Sequence, residues 1–574
     1  MQSKKAEQTA AATPDQTQPS PTWRARLWAI LPWAILVIAW ILFVVGLCVH
    51  YQDGLNADMT ADLILAKRLA DGHGFIIDPG WYYSTELHFL HTQWVYTPLF
   101  WLFDNWFAVR TVGSIILNLL LLLSFYFMLA GMKQKRLFPW LAIFLLLPLG
   151  YDFSHYVNFA NSYTTFIAFS FVVVGLLFYV LRTASTKKRC WLIVVGGVLS
   201  LLNAVGGFRM VMCLSLPLFL AGLIYLWLKY KTAQKDTATR CLVTTAIWLG
   251  AALVGLGINL LLSSVLHFQV TGYGELIWRE TPLEKILTCL QYVFDVFGFR
   301  TGGNFFAGLL VNGVAVLVVA LFIVAVVDIS KHHEKYTAAT VCLMLFAVTS
   351  LVVLLLIMIF TEFSIGAMVG ALDDKRYVLQ NVVFMLLTIV LYLLENQHRH
   401  INWGKIKGNV KQLVALAGFT VVLVANVWLY VCFYCLDYIA LEIWPGIQRD
   451  TLSQIAEQLV ADGYLQGYST FNELILTEFA NGQIELWIYN NNDEEDFAGR
   501  SNFDDEIRHW LQPIEHNTTH PSGKMFALFY ATEMHYPLPQ ALNKNASQKI
   551  IYQDETYIIF GFDSYKQMDE LIHM

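Results

Sequence analysis

Asp58 stands in Asn56-Ala57-Asp58-Met59-Thr60-Ala61-Asp62, just past a long apolar run and just ahead of a half-apolar helix pattern at 63–69. A carboxylate rooted in solvent beside a membrane, at a helix start where the dipole favours its ionised form, is placed to act as a general base. The same spot also suits plain structure, because Asp58 or Asp62 would serve as an N-cap. Beyond it the loop runs through Trp81-Tyr82-Tyr83-Ser84-Thr85-Glu86 to Tyr96-Thr97-Pro98-Leu99-Phe100. Glu86, His91 and Trp94 in this excursion, together with Asp62 and the more distant Asp152, are further candidates for contacts to a bound ligand. Aromatic rings at this level also serve as interface anchors.

Three arginines are candidates for holding an anion. Arg209 lies in the glycine-bearing turn Asn203-Ala204-Val205-Gly206-Gly207-Phe208-Arg209, where a lone arginine between two spans is costly unless it snorkels or meets an anion. Arg376, with Lys375 before it and Tyr377 after it, opens a late span; Asp373 and Asp374 offer it a plain ion pair instead. Arg300 precedes Gly302-Gly303 and is the third. No P-loop, HExxH, GxSxG or dinucleotide fingerprint is present, and no set of residues has metal-ligand spacing. Cofactor and metal chemistry therefore have no sequence signature, and neither does nucleic-acid binding. Eight scattered cysteines make no disulfide framework, and Cys432 and Cys435 read as packing at the end of an apolar helix.

The elements that position these residues are membrane spans. Of 574 residues, 57% are hydrophobic and only 14% charged, against about 25% charged in soluble domains. Hydropathy predicts about eleven spans, near 27–49, 109–132, 137–150, 163–182, 190–206, 210–229, 240–264, 306–328, 338–361, 378–395 and 410–433. Residues 1–22 read as a disordered cytoplasmic tail. Basic residues cluster in alternate short loops, as in Lys133, Lys135 and Arg136, then Lys187, Lys188 and Arg189, then Lys229 and Lys231. The positive-inside rule makes that side cytoplasmic and the plasma membrane the location. The outer side then holds loops 50–108, 151–162, 207–209, 265–305 and 362–377 and a tail from 434. Within 265–305, Pro282-Leu283-Glu284-Lys285-Ile286-Leu287 and then Leu290, Val293, Phe294 and Phe297 predict an amphipathic interfacial helix. The membrane domain spans 23–436. Residues 437–574 predict a small extracytoplasmic α/β domain, with helices at 450–461 and 503–511, strands at 484–489, 525–530, 550–552 and 557–560, and a strand–turn–helix junction at 467–472. Its acidic run Asp493-Glu494-Glu495-Asp496 reads as a solvated loop.

Asp58, then Ala66 and Leu69, then Pro98-Leu99-Phe100 at the second membrane approach, resemble the polyprenyl-phosphate-sugar-dependent glycosyltransferases of the GT-C superfamily. Protein O-mannosyltransferases and the aminoarabinose transferase of lipid A belong to that group. Arg376-Tyr377, in Arg-Tyr-Val-Leu-Gln, resembles the Arg-Tyr-Leu-Leu-Pro start of a late span there. The resemblance covers about residues 25–430. It departs at Met59, where the family often has a second acid, at Asp62, where it has an aromatic, and at the lysine missing before Pro98. It implies a polyprenyl-phosphate sugar donor, with Asp58 as base toward an acceptor hydroxyl on a cell-envelope glycan, lipid or protein. Arg376, Tyr377, Arg209 and Arg300 would lie at the donor phosphate, and Glu86, His91, Trp94, Asp62 and Asp152 are the candidates for contacts to the sugar or its acceptor. The competing classes are a transporter or flippase, which requires inverted repeats and mid-span charges, and a membrane scaffold, which has no need of Asp58, Glu86 and His91 in one loop.

Overall fold

The computed structural model describes residues 23–49, 54–265 (without 84, 85, 88 and 149), 278–299, 305–361, 374–396, 449–489 and 511–574. Residues 1–22, Arg300, the expected span at 410–433 with Cys432 and Cys435, the acidic run at 493–496 and nearly all of the expected helix at 503–511 lie outside the described residues.

The apolar runs fold as helices because a bilayer core leaves the backbone no hydrogen-bonding partner but itself. The chain begins with α1 (Trp23–Val49), followed by the short α2 (Ala57–Ala70) and α3 (Gln93–Phe100) and then α4 (Trp106–Gly131). Next come α5 (Phe138–Leu146), α6 (Tyr151–Phe153, continued by a π-helical turn over Ser154–Phe159), α7 (Thr164–Arg182) and α8 (Thr186–Val205). A π-helical turn, Val211–Ser215, leads into α9 (Leu216–Lys229), and α10 (Lys235–Val265) returns beside it. The remaining membrane-domain helices are α11 (Pro282–Asp295), α12 (Phe305–Lys331), α13 (Ala338–Phe360) and α14 (Leu379–Asn396), the last preceded by a 3-10 turn over Asp374–Val378. Among the described residues, nine helices are long and apolar enough to cross a membrane.

The expected span at 137–150 and outer loop at 151–162 are corrected. α5 is nine residues of helix, about 13 Å long, which is under half of a bilayer core. α6 completes it, and the pair makes one broken passage. Asn158 turns back to donate to the carbonyls of Leu145 (2.8 Å) and Leu146 (3.3 Å), which the end of α5 would otherwise leave unsatisfied. Pro148 stops α5, and hydropathy alone did not show that the polar residues after it are packed inside. The corner that follows is held by amides. Asn161, at φ 62, donates to Ser114 Oγ (2.7 Å), and Asn118 donates to the carbonyl of Asn158 (2.8 Å).

The ends of the helices alternate as the charge pattern requires. Arg182 donates to the carbonyls of Ala130 (2.7 Å) and Gly131 (3.0 Å), so α4 and α7 finish at one end. Lys229 donates to His333 O (2.8 Å), joining the α9 terminus to the α12–α13 turn at that same kind of end. The expected interfacial helix is α11. It buries Cys289, Tyr292 and Val293 against α13 and the 374–378 turn, and it leaves Leu283 and Leu287 77% and 79% exposed. An amphipathic helix with that outward face belongs at a lipid surface.

The C-terminal residues form a five-stranded sheet: β1 (Gln466–Ser469), β2 (Glu485–Ile488), β3 (Met525–Tyr530), β4 (Ile550–Gln553) and β5 (Tyr557–Phe562), in the order β2-β1-β3-β5-β4. β1 is parallel to β2 and β3, while β3–β5 and β4–β5 are antiparallel. After β1 the chain turns through Phe471–Leu474, where Glu473 is fully buried and accepts from the Thr470 hydroxyl. Burial pushes its carboxyl from 4.5 up to about 7, with Glu533 adding to the rise. The folded state therefore holds a proton that the unfolded chain releases at lower pH. Stability from this group is undiminished below about pH 4.5 and declines as pH rises toward 7. Glu473→Gln should remove that decline, worth about 3 kcal/mol by the size of the shift. Thermal melting by near-UV circular dichroism should show a higher midpoint than wild type at pH 8 and an equal one at pH 4; equal midpoints at both would contradict it.

Candidate active site

α2 carries the leading carboxylate. Asn56 is its N-cap, accepting from the Met59 amide (2.9 Å), so neither Asp58 nor Asp62 performs that task. Asp58 is the second residue of the helix and half-buried. Asn56 Nδ2 also lies 3.2 Å from His155 Nε2 in the π-helical turn, which fastens the start of α2 to the broken passage. π-helical turns of this kind are frequent at functional sites.

Asp62 and His91, both expected near the acceptor, meet each other. His91 Nδ1 is 3.5 Å from Asp62, Thr92 donates to the same carboxylate (3.2 Å), and His91 Nε2 lies 3.2 Å from Ser162 O. These contacts join α2, α3 and the α6–α7 corner. Trp94 is 52% exposed and donates to Phe89 O (2.8 Å). With His91 it lines an apolar cavity of about 360 Å³ between α3, α4 and α7, along with Val95, Leu117 and Phe169.

The structure brings two of the three expected phosphate-binding arginines together. Arg209 Cζ lies over the rings of Tyr163 (4.8 Å), Phe166 (4.8 Å) and Tyr377 (5.4 Å), and Arg376 Cζ lies 5.6 Å from Tyr377. Both guanidinium groups therefore meet at the Tyr377 ring. Glu86, expected as a sugar contact, forms an ion pair with Arg209 at 2.6 Å. Burial opposes the charge of Arg209, but Glu86, Tyr163 and Tyr377 outweigh it and raise its pKa. Glu86 is carried into place by the bond from Leu87 N to Gly206 O (2.8 Å). Asp152 pairs with Lys375 at 3.1 Å, tying α6 to the turn that carries Arg376. Ring contacts continue from His155 to Tyr156 (5.0 Å), to Tyr163 (6.2 Å) and to Tyr377 (6.4 Å). One packed wall therefore runs from the foot of α2 to the arginines.

The chain's own residue types did not single out Arg110 or Glu478. Arg110, in the first turns of α4, is 2% exposed and grips Glu478 of the C-terminal domain through Nε–Oε1 (2.5 Å) and Nη2–Oε2 (2.7 Å). An arginine in the opening of a span and a glutamate inside Ile475–Phe479 were the available signals. The first loop also pairs with the domain through its backbone, Tyr82 N to Gln512 O (2.9 Å) and Leu511 N to Tyr82 O (2.8 Å), and Arg68 bridges Asp78 (2.7 Å) and Glu515 (2.8 Å).

The chain has the fold of a polytopic GT-C-like membrane protein, with a small α/β domain seated on its first loop. Two solved structures of ArnT from Cupriavidus metallidurans share the fold. One, bound to undecaprenyl phosphate, matches with a TM-score of 0.54 at 14% identity; the other, in the apo state, matches with 0.56 at 13% identity. Each alignment covers 94% of this chain and 98% of the other. No family model matches the sequence, and no curated protein does.

Proposed function

We propose that this protein is a membrane glycosyltransferase that moves a sugar from a polyprenyl-phosphate donor to an acceptor hydroxyl on the outer face of the membrane. The observation that carries the reading is the convergence of Arg209 and Arg376 on the Tyr377 ring, at 5.4 and 5.6 Å, on a wall continuous with the foot of α2. It is supported by the shared fold with a protein that was crystallised with undecaprenyl phosphate. Basic connectors at one end of the helices make that end cytoplasmic, which leaves the α2 end and the sheet domain outside.

In this reading Asp58 takes the proton of the acceptor hydroxyl as its oxygen attacks the anomeric carbon. The bond from that carbon to the phosphate oxygen breaks, and its electron pair leaves on polyprenyl phosphate. A phosphate leaving group needs no acid, but it gains negative charge. Cations already oriented by Glu86, Tyr163 and Tyr377 stabilise that charge without reorganising. The apolar cavity beside Trp94 and His91 gives an isoprenoid tail a place against α4 and α7, and Trp94 is placed to meet the sugar. No step requires a metal or cofactor.

Undecaprenyl phosphate added to the purified protein should raise its thermal midpoint in proportion to the logarithm of concentration. Arg209→Met should abolish the rise, and decyl phosphate should give less of it than undecaprenyl phosphate. A wild-type midpoint that ignores undecaprenyl phosphate would overturn the donor assignment.

A further inference from the structure

Glu478 sits in the C-terminal domain, yet its carboxylate is spent on the membrane domain. Oε2 accepts from Thr60 Oγ1 at 2.9 Å, and both oxygens are taken by Arg110. Arg110 Nη2 also donates to the carbonyl of Met59 at 2.8 Å. The two residues directly after Asp58 are therefore both held, one by its carbonyl and one by its hydroxyl. Glu478 is 3% exposed and Thr60 fully buried, so these bonds are made away from water.

The first turn of a helix is where the backbone has fewest internal partners and frays most readily. In α2 that turn is closed from three directions: Asn56 caps it, Thr60 is fixed to Glu478, and Met59 is fixed to Arg110. Successive helical residues turn by about 100°, so Thr60 faces some 200° away from Asp58. The anchor thus grips the side of the helix roughly opposite Asp58. An apolar contact would join the two domains at less cost than a buried ion pair, but it would not grip a carbonyl and a hydroxyl.

We infer that the C-terminal domain positions the base: Glu478, acting through Thr60 and Arg110, fixes the first turn of α2 and with it the direction of the Asp58 carboxylate. The inference rests on Asp58 serving as base. Glu478 is on this account a positioning residue and not a catalytic one.

Removing only Glu478 or only Arg110 strands a buried charge, so the test uses the double variant Arg110→Leu/Glu478→Leu, with Thr60→Val beside it as a variant that keeps the ion pair. Two readouts are taken in proteoliposomes: amide hydrogen exchange over residues 57–62, and release of undecaprenyl phosphate from a panel of undecaprenyl-phosphate-linked hexoses and pentoses, with a cell-envelope extract supplying the acceptor hydroxyl. The double variant should keep the wild-type melting midpoint, exchange about tenfold faster over 57–62, and lose about 10²-fold in kcat at unchanged KM, as for a reacting group displaced by about 1 Å. Thr60→Val should lose about fivefold in kcat, one hydrogen bond's worth. Wild-type exchange and turnover in a folded double variant would overturn the inference, as would wild-type values in Thr60→Val should the double variant not fold. Asp58→Asn is run alongside: if it stays active the base assignment has failed, whereas an inactive Asp58→Asn with a fully active double variant sinks the positioning role alone.

Discussion

Asp58→Asn is expected to keep the fold and lose sugar transfer. Asn56 already caps α2, so Asp58 is not needed as its cap, and its charge in the first turn is worth about 0.3–1 kcal/mol. Asparagine keeps the shape and removes the basic oxygen. General-base removal typically costs about 10²–10⁴-fold in rate, so transfer from an undecaprenyl-phosphate-linked sugar should fall into that range at normal expression and an unchanged melting midpoint. Undecaprenyl phosphate should still bind, because its proposed partners are the arginines. Wild-type turnover in this variant would reduce Asp58 to a helix residue with a favourable charge.

Arg376 should show the second large effect, graded by chemistry. Lysine preserves the charge but loses the planar fork that engages two phosphate oxygens at once. Arg376→Lys should therefore lose part of the activity and Arg376→Ala nearly all of it, with weakened undecaprenyl phosphate affinity in both. The other outcome is equally specific: a surface ion pair is worth about 0–1 kcal/mol, and an arginine doing only that could be replaced by alanine at little loss of rate. Parallel titrations of undecaprenyl phosphate against the two variants separate the cases. Arg209 differs because Glu86 already faces it at 2.6 Å. Its substitution disturbs both the phosphate site and the loop that carries Glu86.

Much of the membrane domain was legible because a bilayer permits so few solutions. Long apolar runs gave α4, α7, α8, α9, α10, α12, α13 and α14, and the apolar periodicity of 282–297 gave α11 with its exposed leucines. The passage through α5 and α6 was not legible, since its second half is polar and is satisfied only by the long-range return of Asn158 to Leu145. In the site, Arg209 could be named as a candidate from its turn between two spans, and Arg376 and Tyr377 from the resemblance of Arg-Tyr-Val-Leu-Gln to a late-span start. The meeting of both arginines at the Tyr377 ring could not, because it depends on how α6, α7 and the 374–378 turn pack. Glu86 was placed in the right loop, but its partner Arg209 lies beyond the reach of any local pattern. Arg110 and Glu478 are separated by 368 positions, and nothing in a single sequence joins them.

The most direct measurement is mass spectrometry of cell-envelope glycans from otherwise identical cells carrying the wild-type protein, Asp58→Asn at equal abundance, or no copy. The proposed transfer predicts one sugar increment on an envelope glycan, lipid or protein that is present with wild type and missing in both other strains, with the undecaprenyl-phosphate-linked sugar accumulating in its place. Identical envelope glycans in all three strains, or the increment retained with Asp58→Asn, would contradict it.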